Sequence, residues 1–498
     1  MNSGTFLALF IGCHLAGCAK HYEARDVSSL VAKLYPHILP PECVPFEEER
    51  PSDVLSRIRH IKNLPEHCKK IERPQIILLH GIKGSKLQNA DGVNVWPGLV
   101  RDHALTKLPF TNACPVLDKL IDDSEDLFTG KTIMRPSGLL EEVPVSKQRV
   151  YKSLVNSLEY IGYIPKEIDA ADLDPGKDLC ELDKAGEKFC PDLWIFNYDW
   201  RLSNSFNAVK LKLLIEDYLQ DNHVNKMAIQ TGSNTSMFSR DKSRFIIVAH
   251  SMGNHIAEHY LKTLGGYHKV DKFISISAPL YGAMDAFRML TKGLAQTCDK
   301  DRDRVLASKL PSTWELLPWY TGAFVEELPN GKPGKDLTID LSDPNIWMDS
   351  YFKDDEGNVI PLKSRYHEEG LEYFSYAKQR LSKPIPCFAS KPCVERLYVV
   401  GFDKNNLACI PVSKTKEGKY VFDVSDPGEN WHSKEWKKRC YWSSGDGTVS
   451  LASQMGGAFY KPSEPSQMIF LKAEHAVGGE STPESTESLV NFISFLLK

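Results

Sequence analysis

A short apolar run that ends in a serine-containing turn is the feature of this sequence that most constrains its fold. Residues 245–249 read Phe-Ile-Ile-Val-Ala, which is typical of a buried strand in a parallel sheet. Ser251 follows between the small residues Ala249 and Gly253, and apolar residues then recur at helical spacing from 256 to 264. A strand, a tight turn with a central serine and a helix form the context of a nucleophile elbow. That pattern usually has glycine at both flanking positions, so Ala249 is a small departure from it.

Alternating strands and helices on both sides of the elbow predict a mainly parallel sheet with helices on both faces, which is the α/β-hydrolase fold. Other strands are predicted at residues 75–80, 192–199, 272–277, 396–401 and 467–472, and helices at 146–163, 207–219 and 486–497. Residues 283–393 have weak periodicity and many turns. We therefore expect a cap there, inserted between two parts of the core at 74–282 and 394–498.

The histidine that would activate Ser251 is expected after the last strand. A serine hydroxyl is a weak nucleophile and needs a histidine base, whose tautomer is fixed by an acid. In this fold the chain order is serine, acid, histidine. His475 lies just beyond the strand predicted at 467–472, whereas the rivals His367 and His432 follow no strand this late. The order of the chain therefore predicts His475 as the base.

Two aspartates compete for the acid position. Asp403 directly follows the strand predicted at 396–401, where this fold places an acid. Asp446 lies in the segment Ser-Gly-Asp-Gly-Thr-Val, and an Asp-Gly pair is more often only a turn. Order and position along the chain do not decide between them.

Several short segments, in a fixed order between residues 75 and 480, carry a resemblance to a known family. They are 80–87 (His-Gly-Ile-Lys-Gly-Ser-Lys-Leu), 95–96 (Val-Trp), 198–202 (Tyr-Asp-Trp-Arg-Leu), 249–253 (Ala-His-Ser-Met-Gly), 277–282, 311–318 and 445–449 (Gly-Asp-Gly-Thr-Val). Together they resemble the lecithin:cholesterol acyltransferase family. The combination of Tyr-Asp-Trp-Arg, Asp-Gly-Thr-Val and the serine elbow is specific.

The resemblance implies a site and an activity. It implies Asp446 as the acid, and the backbone N–H groups of Ile82 and Met252 as the oxyanion hole. It implies a lipid acyl hydrolase or acyltransferase that takes a fatty acyl chain from a glycerophospholipid through an acyl-enzyme on Ser251. Water or a lipid alcohol would accept the chain; the alternative is a sterol or diacylglycerol O-acyltransferase of the same family. It implies no cofactor and no metal.

Residues 94–125 are predicted to form a lid that also contacts a membrane or lipoprotein surface. Trp96, Leu105 and Leu108 would make that contact, because tryptophan and large aliphatic residues favour the edge of a bilayer. A segment of buried core is the alternative for these residues. Animal members of the family close the lid with a disulfide, and Cys114 would be its second half, but no cysteine lies near 95–96.

The start of the chain predicts passage through the secretory pathway. Residues 1–19 contain a short apolar run followed by small residues, which predicts a signal peptide, with a bacterial lipobox at 15–18 as the alternative. Residues 20–73 are then an N-terminal extension. Twelve cysteines less the two at 13 and 18 leave ten, an even number that suits a disulfide-bonded chain in a secreted or lysosomal compartment. Asn234 begins the single glycosylation sequon. The net charge of -4 without a basic block argues against nucleic acid as a partner.

Two other classes of function compete with the serine enzyme. His255, Glu258 and His259 match the H-x-x-E-H pattern of some zinc peptidases, with both histidines on one helix face. The second alternative is a lipid-binding protein whose serine site is inactive.

Overall fold

The computed structural model covers most of the predicted core and cap. It describes residues 65, 74–96, 120, 124–140, 151–173, 181–182, 188–189, 191–219, 245–293, 300–386, 394–402, 404–426, 433–441, 445–455, 466–471, 475 and 495. The predicted signal peptide, nearly all of the N-terminal extension and the predicted helix at 486–497, apart from residue 495, lie outside this part of the chain.

Strands and helices alternate along the described chain, as the sequence predicts. The strands are β1 (Gln75–Leu79), β2 (Ser85–Gln88), β3 (Asn94–Trp96), β4 (Arg135–Leu139), β5 (Pro165–Asp169), β6 (Glu181–Leu182), β7 (Lys188–Phe189), β8 (Leu193–Asn197), β9 (Phe245–His250), β10 (Val270–Ile276), β11 (Phe324–Glu327), β12 (Pro333–Leu337), β13 (Tyr351–Lys353), β14 (Val359–Pro361), β15 (Glu395–Gly401), β16 (Ile410–Lys414), β17 (Tyr420–Asp423) and β18 (Ser466–Leu471). The α-helices are α1 (Lys152–Tyr160), α2 (Asn204–Lys212), α3 (Gly253–Lys262), α4 (Met284–Thr291), α5 (Lys300–Lys309), α6 (Pro311–Glu315), α7 (Pro344–Asp349), α8 (Glu368–Leu381), α9 (Lys434–Cys440) and α10 (Leu451–Gln454). Short 3-10 helices lie at Gly266–His268 and Leu362–Arg365, and a π-helix, Leu213–Leu219, directly continues α2.

A seven-stranded sheet forms the centre of the fold. Its strand order is β18-β15-β10-β9-β1-β8-β5, and all neighbours run parallel. Every residue of β1, β8 and β9 is buried, as expected for parallel strands covered on both faces. This sheet, with its intervening helices and the serine turn after a central strand, is an α/β-hydrolase fold. Ser251 follows β9 and therefore lies at the carboxyl edge, where parallel sheets place their functional loops.

A second sheet of six strands forms the cap. Its order is β12-β11-β16-β17-β13-β14, and β11 pairs in parallel with β16. Strands β16 and β17 come after β15 in the chain, so the cap takes residues from 404–426 as well as from the predicted insertion. This sheet therefore contains strands from both sides of the boundary predicted at 393. Pairing between strands so far apart in the chain leaves no local sequence signal.

The apolar centre of the cap is built from aromatic side chains. Trp314, Trp347 and Trp436 are fully buried there and belong to one cluster with Phe287 and Phe422. Phe287 makes edge-on contacts with both Trp347 and Phe422. Burial of such large rings stabilises a layer that short strands could not hold by themselves.

Two of the ten predicted mature cysteines lie in the described part of the chain, and they are joined. Cys409 and Cys440 form a disulfide between the residue before β16 and the last residue of α9. The other eight, including Cys114, lie outside the described residues. Within that part of the chain no helix is long and apolar enough to cross a bilayer.

Thiol counting tests the wider disulfide prediction. Under denaturing, non-reducing conditions we expect few free thiols in the mature protein, because Cys409–Cys440 already shows an oxidised pair. A majority of free thiols would contradict the prediction of a secretory compartment. The same count after reduction provides the total and controls for incomplete labelling.

Candidate active site

The serine turn has the strained backbone of a nucleophile elbow. Ser251 has a φ of 52°, in the left-handed region that residues other than glycine rarely adopt. Its N–H donates to the carbonyl of Ile276 at 2.9 Å, which ties the turn to the end of β10. A side chain at Gly253 would place its Cβ 2.5 Å from the carbonyl oxygen of His80. Only glycine therefore lets α3 start this close to β1. Ala249, which stands where the pattern usually has glycine, is fully buried.

The structure brings the three predicted side chains together. Nε2 of His475 lies 2.8 Å from Oγ of Ser251, and its Nδ1 lies 2.8 Å from Oδ2 of Asp446. An ionised carboxylate has no proton to give, so Nδ1 carries the hydrogen and Nε2 accepts the serine proton. The N–H of His475 also donates to the carbonyl of Asp446 at 2.9 Å, which fixes the two loops to each other.

Asp446 is held in its ionised form although it is buried. Burial alone would raise the pKa of this carboxyl, but His475 and the N–H groups of Val449 and Thr448 hold it below the ordinary value. Both N–H groups donate to Oδ1, at 2.7 and 3.0 Å. The Asp-Gly-Thr-Val turn therefore aims the carboxylate at the histidine. The rival Asp403 lies outside the described residues.

Of the two competing histidines, the structure describes only His367. His367 precedes α8 in the cap, where its Nδ1 accepts from the N–H of Gly370 at 3.2 Å and its ring stacks on Phe128. His432 lies outside the described residues.

The loop after β1 passes directly against the nucleophile. A Cβ at Gly81 would lie 2.7 Å from the Cβ of Ser251, so only glycine fits. The predicted oxyanion donors, Ile82 and Met252, are the next residue after each of these two positions. Among the described residues neither backbone N–H has an acceptor. Two free donors beside a nucleophile suit the negative oxygen of a tetrahedral intermediate.

The part of the chain that includes Ser251 also matches the model of a known protein family. Residues 181–328, which include Ser251, match the family model described as lecithin:cholesterol acyltransferase. Over this region the chain resembles the lecithin:cholesterol acyltransferase family. The match ends before Asp446 and His475, whose positions come from the structure. No curated protein sequence matches the chain.

Several solved structures are similar to this chain. The structure of the Tle4-Tli4 complex is 15% identical over 86% of this chain and 99% of that chain, with a TM-score of 0.48. The mature lipase BlEst2 of Bacillus licheniformis is 11% identical over 85% of this chain and 92% of that chain, with a TM-score of 0.32. EstA from Clostridium botulinum is 12% identical over 96% and 98% of the two chains, with a TM-score of 0.31.

The match to this family and a serine turn in an α/β-hydrolase fold support a lipid-acting hydrolase or acyltransferase. The Tyr-Asp-Trp-Arg motif supports the loop after β1, which contains the predicted oxyanion donor Ile82. The ring of Tyr198 stacks on His80 at 3.9 Å, and its hydroxyl donates to the carbonyl of His80. Nε2 of His80 accepts from the N–H of Tyr198 at 3.3 Å, and Nδ1 donates to the carbonyl of Gly81 at 2.8 Å. Burial lowers the pKa of His80 to about 3, so the ring stays neutral and keeps these roles.

The arginine of the motif is buried and connects two segments of the chain. Arg201 is fully buried and pairs with Asp199 at 2.6 Å and with Glu125 at 3.0 Å. It also donates to the carbonyl of Leu120 at 2.7 Å and to the hydroxyl of Thr132 at 2.6 Å. One side chain thus fastens the segment around 120–132 to the end of β8. Removal of one member of such a buried pair typically costs about 3–5 kcal/mol.

The motifs contain these supporting residues but do not by themselves indicate what they do. Their signal is a polar side chain beside a buried strand, as with His80 after β1 and Arg201 after β8. That pattern indicates a hydrogen-bonded role but not its partners.

The zinc-peptidase alternative is wrong for the H-x-x-E-H residues. Nε2 of His255 donates to the carbonyl of Pro279 at 2.7 Å, and Nδ1 of His259 lies 2.8 Å from Arg380. Glu258 is buried and paired with Lys262 at 2.8 Å. Within the described residues no group of histidine, cysteine and carboxylate side chains could hold a metal ion. The pattern matched because α3 is packed on all sides and its buried polar residues pair with neighbours.

The predicted membrane-contact residues are only partly visible. Trp96 is half-buried beside the oxyanion loop, where its Nε1 donates to the carbonyl of Lys83 at 3.0 Å and its ring packs edge-on against Trp200. This position gives Trp96 a supporting contact with the loop that precedes it. Leu105, Leu108 and the glycosylation candidate Asn234 lie outside the described residues.

Proposed function

We propose that this protein is a serine phospholipase A and O-acyltransferase of the secretory pathway, which forms an acyl-enzyme on Ser251. The observation that carries the proposal is the pair of 2.8 Å contacts from His475, one to Ser251 and one to Asp446. Beside them, the backbone N–H groups of Ile82 and Met252 have no acceptor among the residues that the structure describes. This arrangement suits attack on an ester and stabilisation of the resulting oxyanion. The alternative within the same family is transfer to a sterol or diacylglycerol.

In the acylation step, Oγ of Ser251 would attack the ester carbonyl while Nε2 of His475 takes its proton. The carbonyl oxygen becomes negative and accepts hydrogen bonds from the N–H groups of Ile82 and Met252. The bond to the leaving alcohol then breaks, and His475 returns the proton to that alcohol. Asp446 stays ionised throughout and stabilises the imidazolium.

In the second step, water or a lipid alcohol replaces the first leaving group. Nε2 of His475 removes a proton from this acceptor, whose oxygen attacks the acyl-enzyme. Collapse of the second tetrahedral intermediate releases a free fatty acid or a new ester and restores Ser251. Both outcomes use the same residues, so the acceptor is selected by the lipid pocket and not by the triad.

Product analysis tests this function. The protein is incubated with acyl-labelled phosphatidylcholine alone and with a sterol, a diacylglycerol or a ceramide, and the labelled products are identified. We expect a free fatty acid without acceptor and a labelled ester with at least one alcohol. Formation of sterol ester or triacylglycerol without phospholipid hydrolysis would favour the alternative. Absence of any labelled product from folded protein would contradict the proposal.

A membrane surface is the expected partner of such an enzyme, and one described surface suits it. Ile133, Phe206 and Val209 expose 43%, 37% and 46% of their surface, and Arg135 and Lys210 are close by. Residues 206 and 209 lie one turn apart on α2, which begins just after the carboxyl end of β8. That strand is two positions from β9, or roughly 10 Å at the usual strand spacing. Apolar tips with basic neighbours, on the catalytic edge of the sheet, would suit phospholipid head groups.

Replacing Phe206 and Val209 together with serine tests this contact. Burial of each large apolar side chain is worth roughly 1.5–3 kcal/mol, so we expect vesicle binding and activity on liposomes to fall at least tenfold. Activity on a short water-soluble ester should be unchanged. Val359→Ser, at another strongly exposed apolar residue in the cap, is the matched control. Equal losses on both substrates, or no loss on liposomes, would contradict this role for the surface.

A further inference from the structure

A buried chain of hydrogen bonds connects the two loops that flank the nucleophile. The N–H of Gly81 in the oxyanion loop donates to the hydroxyl of Tyr151 at 2.7 Å. That hydroxyl lies 2.8 Å from Nδ1 of His250, whose Nε2 lies 2.7 Å from the carbonyl oxygen of His475. Tyr151 begins the turn into α1, and His250 directly precedes Ser251. These hydrogen bonds therefore connect the loop that contains Gly81, past Ser251, to the backbone of His475.

The groups at the two ends fix the direction of every bond. A carbonyl can only accept, so Nε2 of His250 carries the hydrogen and donates to His475. Nδ1 of a neutral imidazole is then an acceptor and takes the hydrogen of Tyr151. The Tyr151 oxygen is left to accept from Gly81, whose N–H can only donate. Each donor has one acceptor, and with His250 neutral no other arrangement of hydrogens satisfies all three contacts.

The surroundings keep His250 in this neutral form. Burial, followed by the nearby His475, lowers the pKa of His250 to about 3. The two imidazole centroids are 5.0 Å apart, so a second positive ring would oppose protonation of His475 during turnover. Gly81 also fits closely here, since a Cβ at this position would lie 3.3 Å from Nδ1 of His250. The geometry leaves little freedom for either loop.

We propose that Tyr151 and His250 are positioning residues that set the oxyanion donors and the base in register around Ser251. The proposal rests on the function proposed above. Both side chains would act through the backbone groups that they hold. Tyr151 holds Gly81, and therefore the adjacent Ile82 N–H, against the turn, while His250 holds the backbone of His475. Because the oxyanion forms only in the transition state, loss of this register would lower kcat and spare KM.

Tyr151→Phe removes one oxygen and breaks the series of hydrogen bonds at its centre. With kcat expressed per site titrated by a fluorophosphonate, we expect turnover of a short soluble ester to fall about 10- to 100-fold, and KM to stay within about twofold. The affinity for a trifluoromethyl ketone, which forms a tetrahedral adduct on the serine, should fall by the same factor as kcat/KM. The pH profile should keep its shape, because the His475–Asp446 pair is untouched.

His250→Gln provides the second variant and a coupling test. Its amide N–H can still reach the carbonyl of His475, while the link to Tyr151 is lost, so its loss should match that of Tyr151→Phe. The double variant should be no slower than either single variant, since both break the same link. Tyr260→Phe is the matched control: its buried hydroxyl contacts Glu216 at 3.4 Å, away from this chain, and its kcat should not change.

The outcomes separate this proposal from the function on which it rests. An inactive wild-type protein would contradict the function. If the wild type is active and the kcat and ketone affinity of Tyr151→Phe stay within twofold of the wild-type values, only the positioning role is overturned. Losses that multiply in the double variant would also overturn it, because they would indicate two separate defects. A fall only in the number of sites that the fluorophosphonate titrates would overturn it as well, because it would indicate misfolding.

Discussion

Ser251→Ala is expected to abolish turnover, with a loss in kcat on the order of 10³-fold or more, while the protein folds normally. Oγ of Ser251 is the atom that would form the acyl-enzyme, and in the described structure its hydrogen bond is to His475. Alanine tolerates the φ of 52° about as well as serine does, so the elbow itself should remain intact. The measurement is acyl release from phosphatidylcholine and hydrolysis of a short ester, beside circular dichroism and thermal unfolding of the same samples.

A second serine provides the control. Ser277 follows β10, is buried, and has a φ of 48°, so Ser277→Ala makes the same chemical change at a similar backbone position. It should retain both activity and labelling by a fluorophosphonate, whereas Ser251→Ala should lose both. Full activity in Ser251→Ala would disprove the acyl-enzyme. Wild-type protein that is folded but never labelled would instead support the alternative of a lipid-binding protein with an inactive site.

The elbow was predictable because its signals are local. The apolar run before Ser251 predicted β9 almost to the residue. Residue 253 is glycine because any Cβ there would clash with the carbonyl of His80. The histidine was predictable for a related reason, since chain order in this fold leaves few places for it. His475 is brought to Ser251 by β18, which the sequence also indicated.

The sequence could not show what depends on distant partners. In the cap sheet β11 pairs with β16. Strand β15 of the central sheet lies between these two strands in the sequence, so no local pattern connects them. Tyr151 and His250 lie 99 residues apart, and their contact follows only from the packing of α1 beside the elbow. A polar residue in an apolar run signals a partner, but only tertiary structure identifies it.

The acid was the one position of the predicted triad that chain order left open. Both aspartates follow the strand now identified as β15, and the resemblance to the family decided for Asp446. The structure provides the physical reason for that choice. Two N–H groups of the Asp-Gly-Thr-Val turn hold Oδ1, which leaves Oδ2 free to face the imidazole.

Asp446→Asn is therefore expected to reduce kcat on the order of 10⁴-fold with little change in fold. The carbonyl oxygen of the asparagine would keep the N–H groups of Thr448 and Val449, which places its NH₂ group against Nδ1 of His475. Nδ1 must then accept, so the hydrogen moves to Nε2, and the imidazole can no longer take the proton of Ser251. Steady-state hydrolysis of a short ester measures the loss, and thermal unfolding tests the fold.

Asp403→Asn is the control that separates geometry from chain order. It makes the same change at the rival position and should cost far less than Asp446→Asn. A combined Ser251→Ala and Asp446→Asn variant should be no slower than Ser251→Ala alone, because the acid acts only through the histidine and the nucleophile. A larger loss from Asp403→Asn than from Asp446→Asn would mean that the carboxylate 2.8 Å from His475 is not the one that orients it. Multiplicative losses in the combined variant would give Asp446 a role outside the triad.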